Sequence, residues 1–412
     1  MGDDAERHGA PEGSERGALR RSPRPRTAAI HGGEPGASER IDGAVAAPLV
    51  TSSTFDLGDP ETFDDIKYIR LNNTPNQRWV CEKLAALDGA DAAVVLPSGT
   101  AAIWMALVTS LDAGDEILAP FRVYGGTRKI LDELARSHGV TVTYVDLLDP
   151  TTWKASEKTR VFYAESLTNP WIDVPPLDEV VAFARQRGLV SIVDNTFGTP
   201  IAYRPVEAGF DLVVHSASKY LNGHTDVVAG AIAGEAERIE RIRKRMNLMG
   251  ICLDPHACHL LHRGLKTLSV RVEAQFASAR TLAAMLAAHP DVESVRHPSL
   301  ASDPAHANAS RLFEGYGAML SFTPKGDPER ARALVEALEL AVEAPSLGGL
   351  ETLVTRPITT SHAGLPASVQ AAMGIDPRMI RVSVGLEDIR DLVADFERAL
   401  TESARLAAAA AE

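Results

Sequence analysis

The chain has 412 residues, with 42 Lys and Arg against 55 Asp and Glu and a formal net charge of −13. Hydrophobic residues make up 45% and charged residues 24%, enough apolar material for a large core, and the acidic balance argues against a nucleic-acid or anionic-membrane surface. No apolar run reaches the ~20 residues of a membrane helix, and Cys81, Cys252 and Cys258 are too sparse for a disulfide framework, which points to a reducing cytoplasm.

Residues 1–26, rich in Gly, Pro, Ser and charge, read as a disordered arm. Arg20-Arg21 runs into Ser22-Pro23-Arg24-Pro25-Arg26 and lacks the apolar stretch of an export signal. An N-terminal segment covers 27–65, and a large domain 66–255 follows. Val80 to Leu87 reads as an amphipathic helix, Ala92 to Leu96 as a strand, and Ala101 to Ser110 as a helix after the Pro97-Ser98-Gly99-Thr100 break. Glu116 to Ala119 reads as a strand, Arg128 to His138 as a helix, and Val140 to Val145 and Arg160 to Glu165 as strands. Leu177 to Arg187 is helical and stops at Gly188. Val190 to Val193 and Leu212 to His215 are short β-branched runs of the kind buried in parallel sheets. Strands alternating with helices predict βαβ units, so the fold class is α/β with a mostly parallel central sheet.

A smaller α+β domain is expected over 256–412. It opens with a long helical stretch from Pro255 to about His289. Strand-like pieces follow at Ala318 to Phe322, Leu338 to Ala344 and Met379 to Val384, with helices from Pro328 to Leu338 and from Leu386 to the Ala-rich end.

The chemistry concentrates in Val213-Val214-His215-Ser216-Ala217-Ser218-Lys219-Tyr220. A lysine just after a core strand is partly desolvated, which favours the neutral, nucleophilic amine and a Schiff base with an aldehyde cofactor. Ser216 and Ser218 offer hydroxyl donors to a phosphate. On these residues alone, a solvated lysine after a strand reads equally well. Asp194 ends another buried strand, where ligands of open α/β sheets bind. Its carboxylate suits a protonated pyridine nitrogen, or else an ordinary helix N-cap. A lysine Schiff base with an acidic pyridinium partner is the signature of pyridoxal 5'-phosphate (PLP). Ser98-Gly99-Thr100 precedes a helix whose free N–H groups suit an anion.

Further motifs add specificity: Ala29-Ile30-His31-Gly32-Gly33, Tyr68-Ile69-Arg70, Tyr124-Gly125-Gly126-Thr127, Thr168-Asn169-Pro170, Arg263 to Leu268, Ser346-Leu347-Gly348-Gly349 and Ile380 to Glu387. In order and spacing, these and the Asp194 and Lys219 segments resemble the Cys/Met-metabolism, or trans-sulfuration, family of PLP enzymes, from about Thr27 to about Ala399. That family holds cystathionine γ-synthase, cystathionine β- and γ-lyases, methionine γ-lyase and homoserine-ester sulfhydrylases.

The resemblance implies an aspartate-aminotransferase-like architecture (fold type I). It implies that Lys219 holds PLP and shuttles protons, that Asp194 pairs with the pyridinium, and that Tyr124 stacks on the ring. Gly99, Thr100, Ser216 and Ser218 would hold the phosphate, joined by Tyr68 and Arg70 from the neighbouring subunit of a homotetramer built from two dimers. Asn169 would lie near the ring oxygen, and Arg381, with Ser346 beside it, would grip the substrate carboxylate. The activity implied is carbon–sulfur elimination at Cγ or Cβ of a sulfur amino acid. The alternative is γ-replacement of an activated homoserine by a thiol. A PLP-fold binding module is a third reading, and the full residue set argues against it.

Several positions depart from the family. Asn73-Thr74-Pro75 exchanges the last two residues of the usual Asn-Pro-Thr. Arg122 stands where an acid is common and would put a positive charge near the entrance. Pro345 stands where enzymes acting on cystathionine often carry Glu, which favours a smaller or less polar side chain. Gly126 occupies the position of a cysteine associated with methionine γ-lyases. His256, Cys258, His259 and His262 have helical spacing but are read as an ordinary helix, with no metal expected. His224 is read as a polar residue near the site and His215 as a structural histidine.

Overall fold

The short β-branched runs pair into a seven-stranded sheet in the computed structural model, which describes residues 23–411. Its strands are β1 (Ala92–Leu96), β2 (Glu116–Pro120), β3 (Thr141–Val145), β4 (Thr159–Glu165), β5 (Val190–Asp194), β6 (Leu212–His215) and β7 (Gly230–Gly234), in the order β1-β7-β6-β5-β4-β2-β3. β7 alone runs against the direction of the other six strands. Helices cover both faces, which is why β5 is apolar on both: Val193 enters one core cluster and Ile192 the other.

β7 reads Gly-Ala-Ile-Ala-Gly, a poor strand by propensity, and it has no counterpart in the sequence reading. Its glycine is required by space. A Cβ on Gly230 would stand 2.1 Å from the Ser98 carbonyl oxygen, so only glycine lets this strand lie against the loop after β1.

A second sheet lies in the C-terminal part, with strands β8 (Val292–Arg296), β9 (Met319–Pro324), β10 (Val342–Glu343), β11 (Leu353–Thr355) and β12 (Ile380–Ser383), ordered β10-β11-β12-β9-β8. The single long helix expected from Pro255 is two, Pro255–Leu265 and Leu268–Ala288, divided at Lys266-Thr267. The second carries Leu268, Val272, Ala279, Leu282, Ala283 and Leu286 on one stripe into a core shared with Val193 of β5, Phe322 of β9 and Leu392. One apolar core therefore runs through both sheets and fixes their relative position. The strand expected over Leu338 to Ala344 shrinks to β10, because the amides of Glu339, Leu340 and Ala341 donate to the Asp395 carboxylate instead of to a neighbouring strand.

Helix Pro25–His31 begins inside the arm expected to be disordered, with Pro25 at its first position, where a fixed φ favours a start. Residues 1–22 of that arm lie outside the described residues. A buried ion pair pins the next turn of chain: Lys83 Nζ, wholly enclosed, donates to Glu34 Oε1 at 2.9 Å and to the Ala29 carbonyl at 3.0 Å.

Candidate active site

β1, β4, β5 and β6 all end at one edge of the sheet, and the loops that follow open a cleft of about 1110 Å³. Its lining includes Gly99 and Thr100 after β1, Glu165 and Asn169 after β4, and Asp194 and Thr196 after β5. Ser216, Ser218 and Lys219 come from the turn after β6. Tyr124, Gly125 and Gly126 enter from the start of helix Gly125–His138, and Ser346 and Arg381 from the second sheet. Ten of the residues singled out in the sequence, scattered from Gly99 to Arg381, thus meet around one volume.

Lys219 Nζ donates to Ser346 Oγ at 2.6 Å. Burial lowers its pKa, and the Arg381 guanidinium lowers it further, so the neutral amine lies within easier reach than for a free lysine. Ser346 is held at φ 116°, a conformation L-residues rarely adopt. Its backbone carbonyl thereby accepts from Arg381 Nη2 at 3.0 Å while its hydroxyl faces Lys219. Arg381 Nη1 donates to Asn169 Oδ1 at 3.1 Å, and among the described residues its Nε has no partner. This buried cation has neutral acceptors on two sides, an unpartnered Nε and no carboxylate to balance its charge, an arrangement suited to an incoming carboxylate.

Asp194 accepts from the Thr196 amide at 2.9 Å, an Asx turn rather than the helix N-cap that the sequence allowed. Burial holds its carboxyl above the usual carboxylate range despite the Thr196 bonds and the charge of His215, so a cationic partner would stabilise its ionised form. His215 points to the other face of the sheet, where its Nε2 sits 3.1 Å from both Asp88 carboxylate oxygens. Burial alone would lower the His215 pKa, but Asp88 overcomes it and raises the value.

The end of the cleft expected to take an anion is built from close backbone approach. A Cβ on Gly99 would come within 2.6 Å of Ser216 Cβ, so glycine is what brings the helix start against the serine turn. Helix Gly99–Ser110 aims its first N–H groups there, with Ser98 Oγ capping the Ala101 amide at 3.1 Å. Ser218 Oγ lines the same wall and bonds Ala229, donating to its carbonyl at 3.1 Å and accepting from its amide at 2.9 Å. An anion cradle, a buried acid and an activated lysine are the donor set that a pyridine aldehyde phosphate requires, and the three lie in one cleft.

A family model described as "Cys/Met metabolism PLP-dependent enzyme" matches residues 26–401. The chain belongs to that family. It is a PLP-dependent enzyme of sulfur-amino-acid metabolism with an amino-acid substrate. A cystathionine gamma-lyase of Dictyostelium discoideum is 37% identical over 378 residues, spanning 91% of this chain and 97% of that protein. An L-methionine gamma-lyase of Pseudomonas putida is 37% identical over 380 residues, 88% of this chain and 94% of that protein. The crystal structure of a cystathionine gamma synthase from Xanthomonas oryzae pv. oryzae, in complex with aminoacrylate and cysteine, superposes with a TM-score of 0.88 at 33% identity. It covers 92% of this chain and 98% of that one.

Several sequence-predicted residues lie off the cleft. Tyr68 and Arg70 do not line it; the Arg70 guanidinium lies over the Tyr68 and Phe63 rings at 5.5 and 5.8 Å. Arg122 stacks over Trp171 at 5.5 Å and faces Asp173 at 3.6 Å, and it is not among the residues that line the cleft. His224 bonds its own loop, Nδ1 to the Asn222 carbonyl at 2.7 Å. Among the described residues no three His, Cys, Asp or Glu converge as a ligand set; His262 instead bonds the Gly33 carbonyl at 3.0 Å.

Among the cleft residues that escaped the sequence reading are Glu165, Lys129, Thr196 and Glu351. Glu165 was legible only as the last residue of a strand. Lys129 follows Gly125 by four positions and Gly126 by three, the spacings that share a helix face, and all three line the cleft.

Proposed function

We propose that the chain is a carbon–sulfur lyase, eliminating at Cγ or Cβ of a sulfur amino acid, with Lys219 as the covalent anchor of PLP and the proton carrier. PLP, when bound, supplies a ring that accepts electron density from the substrate Cα. Lys219, Asp194, Tyr124, Asn169, Gly99, Thr100, Ser216 and Ser218 would hold it. Arg381 binds the substrate carboxylate and fixes which Cα bond is aligned for cleavage. Lys219 takes the proton from Cα, and Ser346 Oγ keeps its amine oriented. Tyr124 assists the leaving group, a role supported by its place in the cleft wall.

One observation carries the lyase reading: Val342, Ala344, Pro345 and Leu353 line one wall of the cleft, an apolar surface suited to a thioether side chain. A different observation favours the second reading, γ-replacement. Lys129 and Glu351 line the same cleft and could meet the carboxylate and ammonium of a second amino acid, or of the distal half of cystathionine. Products separate the two. Incubation with thioether amino acids alone should consume one water and release a thiol, a 2-oxo acid and ammonia. A rate that requires both an O-acylhomoserine and a thiol, with thioether formation, would overturn the lyase reading.

We infer a homotetramer, a dimer of dimers, in which Tyr68 and Arg70 complete the neighbouring cleft. The support is that neither lines its own cleft and that Phe63, at 59% exposure, and Tyr68, at 38%, present their rings outward. A cytoplasmic location is supported by three free cysteines. Among the described residues no helix is long and apolar enough to cross a membrane.

A further inference from the structure

Beside Asp194 stands a second carboxyl group for which the chemistry above has no role. β4 and β5 run parallel, with Glu165 and Asp194 as register partners at their ends. Neighbouring strands lie ~4.8 Å apart, and registered residues face the same side of a sheet. The alternation agrees, since Val161 and Tyr163 of β4 share a core cluster with Ile192 of β5, on the face to which Glu165 and Asp194 belong. Two carboxyls so placed cannot both ionise without strong repulsion.

Their surroundings differ. Asp194 is partly open to the cleft and receives the Thr196 amide. Glu165 is 4% exposed. Its Oε1 accepts from the Tyr124 amide at 2.8 Å, and among the described residues its Oε2 has no partner. Tyr124 caps the start of helix Gly125–His138, and that helix end favours an anion. Burial and the Asp194 charge outweigh this and push the Glu165 carboxyl up to about 8. The other titratable group close by is Tyr163, on β4 itself; Lys219 and Arg381 line the same cleft, and the charge of His215, on the other face of β6, acts on Asp194 through space.

We propose that Glu165 is a proton-bearing positioning residue: its carboxyl stays neutral, so that Asp194 alone carries negative charge toward the cofactor ring, while its carbonyl oxygen fixes the Tyr124 amide. This rests on Asp194 facing the ring. Ionisation of Glu165 in alkaline solution places a second charge beside Asp194 and lowers the ring's capacity to accept electrons, so the alkaline limb of kcat reports this group.

Infrared difference spectroscopy on the holoenzyme reads the proton directly. Wild type near neutral pH should carry a protonated-carboxyl C=O band that is missing from Glu165→Gln and that fades as pH rises through about 8. The amide of Gln keeps both neutrality and the acceptor for Tyr124, so kcat/KM near neutral pH should stay within about 2-fold of wild type, while Glu165→Ala loses about 10-fold. Glu165→Gln should also lose one ionisation from its alkaline limb. A band unchanged in Glu165→Gln, or a loss in that variant as large as in Glu165→Ala, overturns the proposal. Asp194→Asn is the control. If it keeps full activity, the cofactor-facing role of Asp194 fails and takes this proposal with it. If it is inactive but the Glu165 band is absent, only this proposal fails.

Discussion

Replacing Arg381 tests the substrate clamp. The guanidinium is 5% exposed and anchored by the Asn169 side chain and the Ser346 carbonyl, at 3.1 and 3.0 Å, with no carboxylate among its bonds. Burial pulls its pKa down only to about 10, so it remains a cation at neutral pH. A substrate carboxylate taken as a fork would make two charge-assisted hydrogen bonds, each contributing roughly 1.5–3 kcal/mol. Their sum, roughly 3–6 kcal/mol, corresponds to about 10²–10⁴-fold in kcat/KM for Arg381→Ala. Arg381→Lys keeps a point charge without the fork and should lose about half of that free energy. Steady-state kinetics on the amino acid and on its decarboxylated analogue form a cycle. The variant should be strongly impaired on the former and nearly equal to wild type on the latter. An unchanged KM on the amino acid, or equal impairment on both, would refute the carboxylate clamp.

Ser346 separates strain from chemistry: Ser346→Gly relieves the φ 116° backbone and should raise stability by about 1–3 kcal/mol in thermal melts, while Ser346→Ala should not. Both remove the hydroxyl on Lys219 and should lower kcat, and wild-type kcat in both would remove Ser346 from the site. Acid should destabilise the protein through His262, His297 and His362, whose pKa values burial lowers to about 4. Their unfolded pKa lies near 6.5, so the unfolded state binds the protons first and stability falls as pH drops from about 6.5 to about 4, by up to roughly 3 kcal/mol per group. Chemical denaturation across that window checks this, and His297→Gln should flatten the slope. For the shared cleft, mixing inactive Arg70→Ala with inactive Lys219→Ala should restore activity through mixed dimers holding one intact cleft, and no recovery after subunit exchange would place Arg70 elsewhere.

Parallel strands were legible because burial on both faces leaves an unbroken apolar run. Ala92–Leu96 and Leu212–His215 carry that signal and were bounded correctly, as was helix Leu177–Arg187, which Gly188 ends in the left-handed conformation. β7 carried no such signal, since its glycines answer to neighbours distant in sequence. β8, whose Val-Glu-Ser-Val-Arg is only partly buried, and the three-residue β11 were too polar or too short to stand out. At the site, Lys219 and Asp194 announce themselves by residue type at strand ends. Glu165 does not, because its meaning comes from the register of β4 on β5, and register is a tertiary fact. The surroundings of Arg122 were hidden for a related reason: its chain position is near Tyr124, but the Trp171 and Asp173 that it meets come from a distant loop.

The most direct test is to load the enzyme with PLP, reduce it with borohydride and map the modified peptide by mass spectrometry. A stable cofactor adduct on Lys219, absent from Lys219→Ala together with turnover, is the expected result. An adduct on another lysine, or full turnover in Lys219→Ala, would contradict Lys219 as the anchor from which the rest of the site takes its meaning.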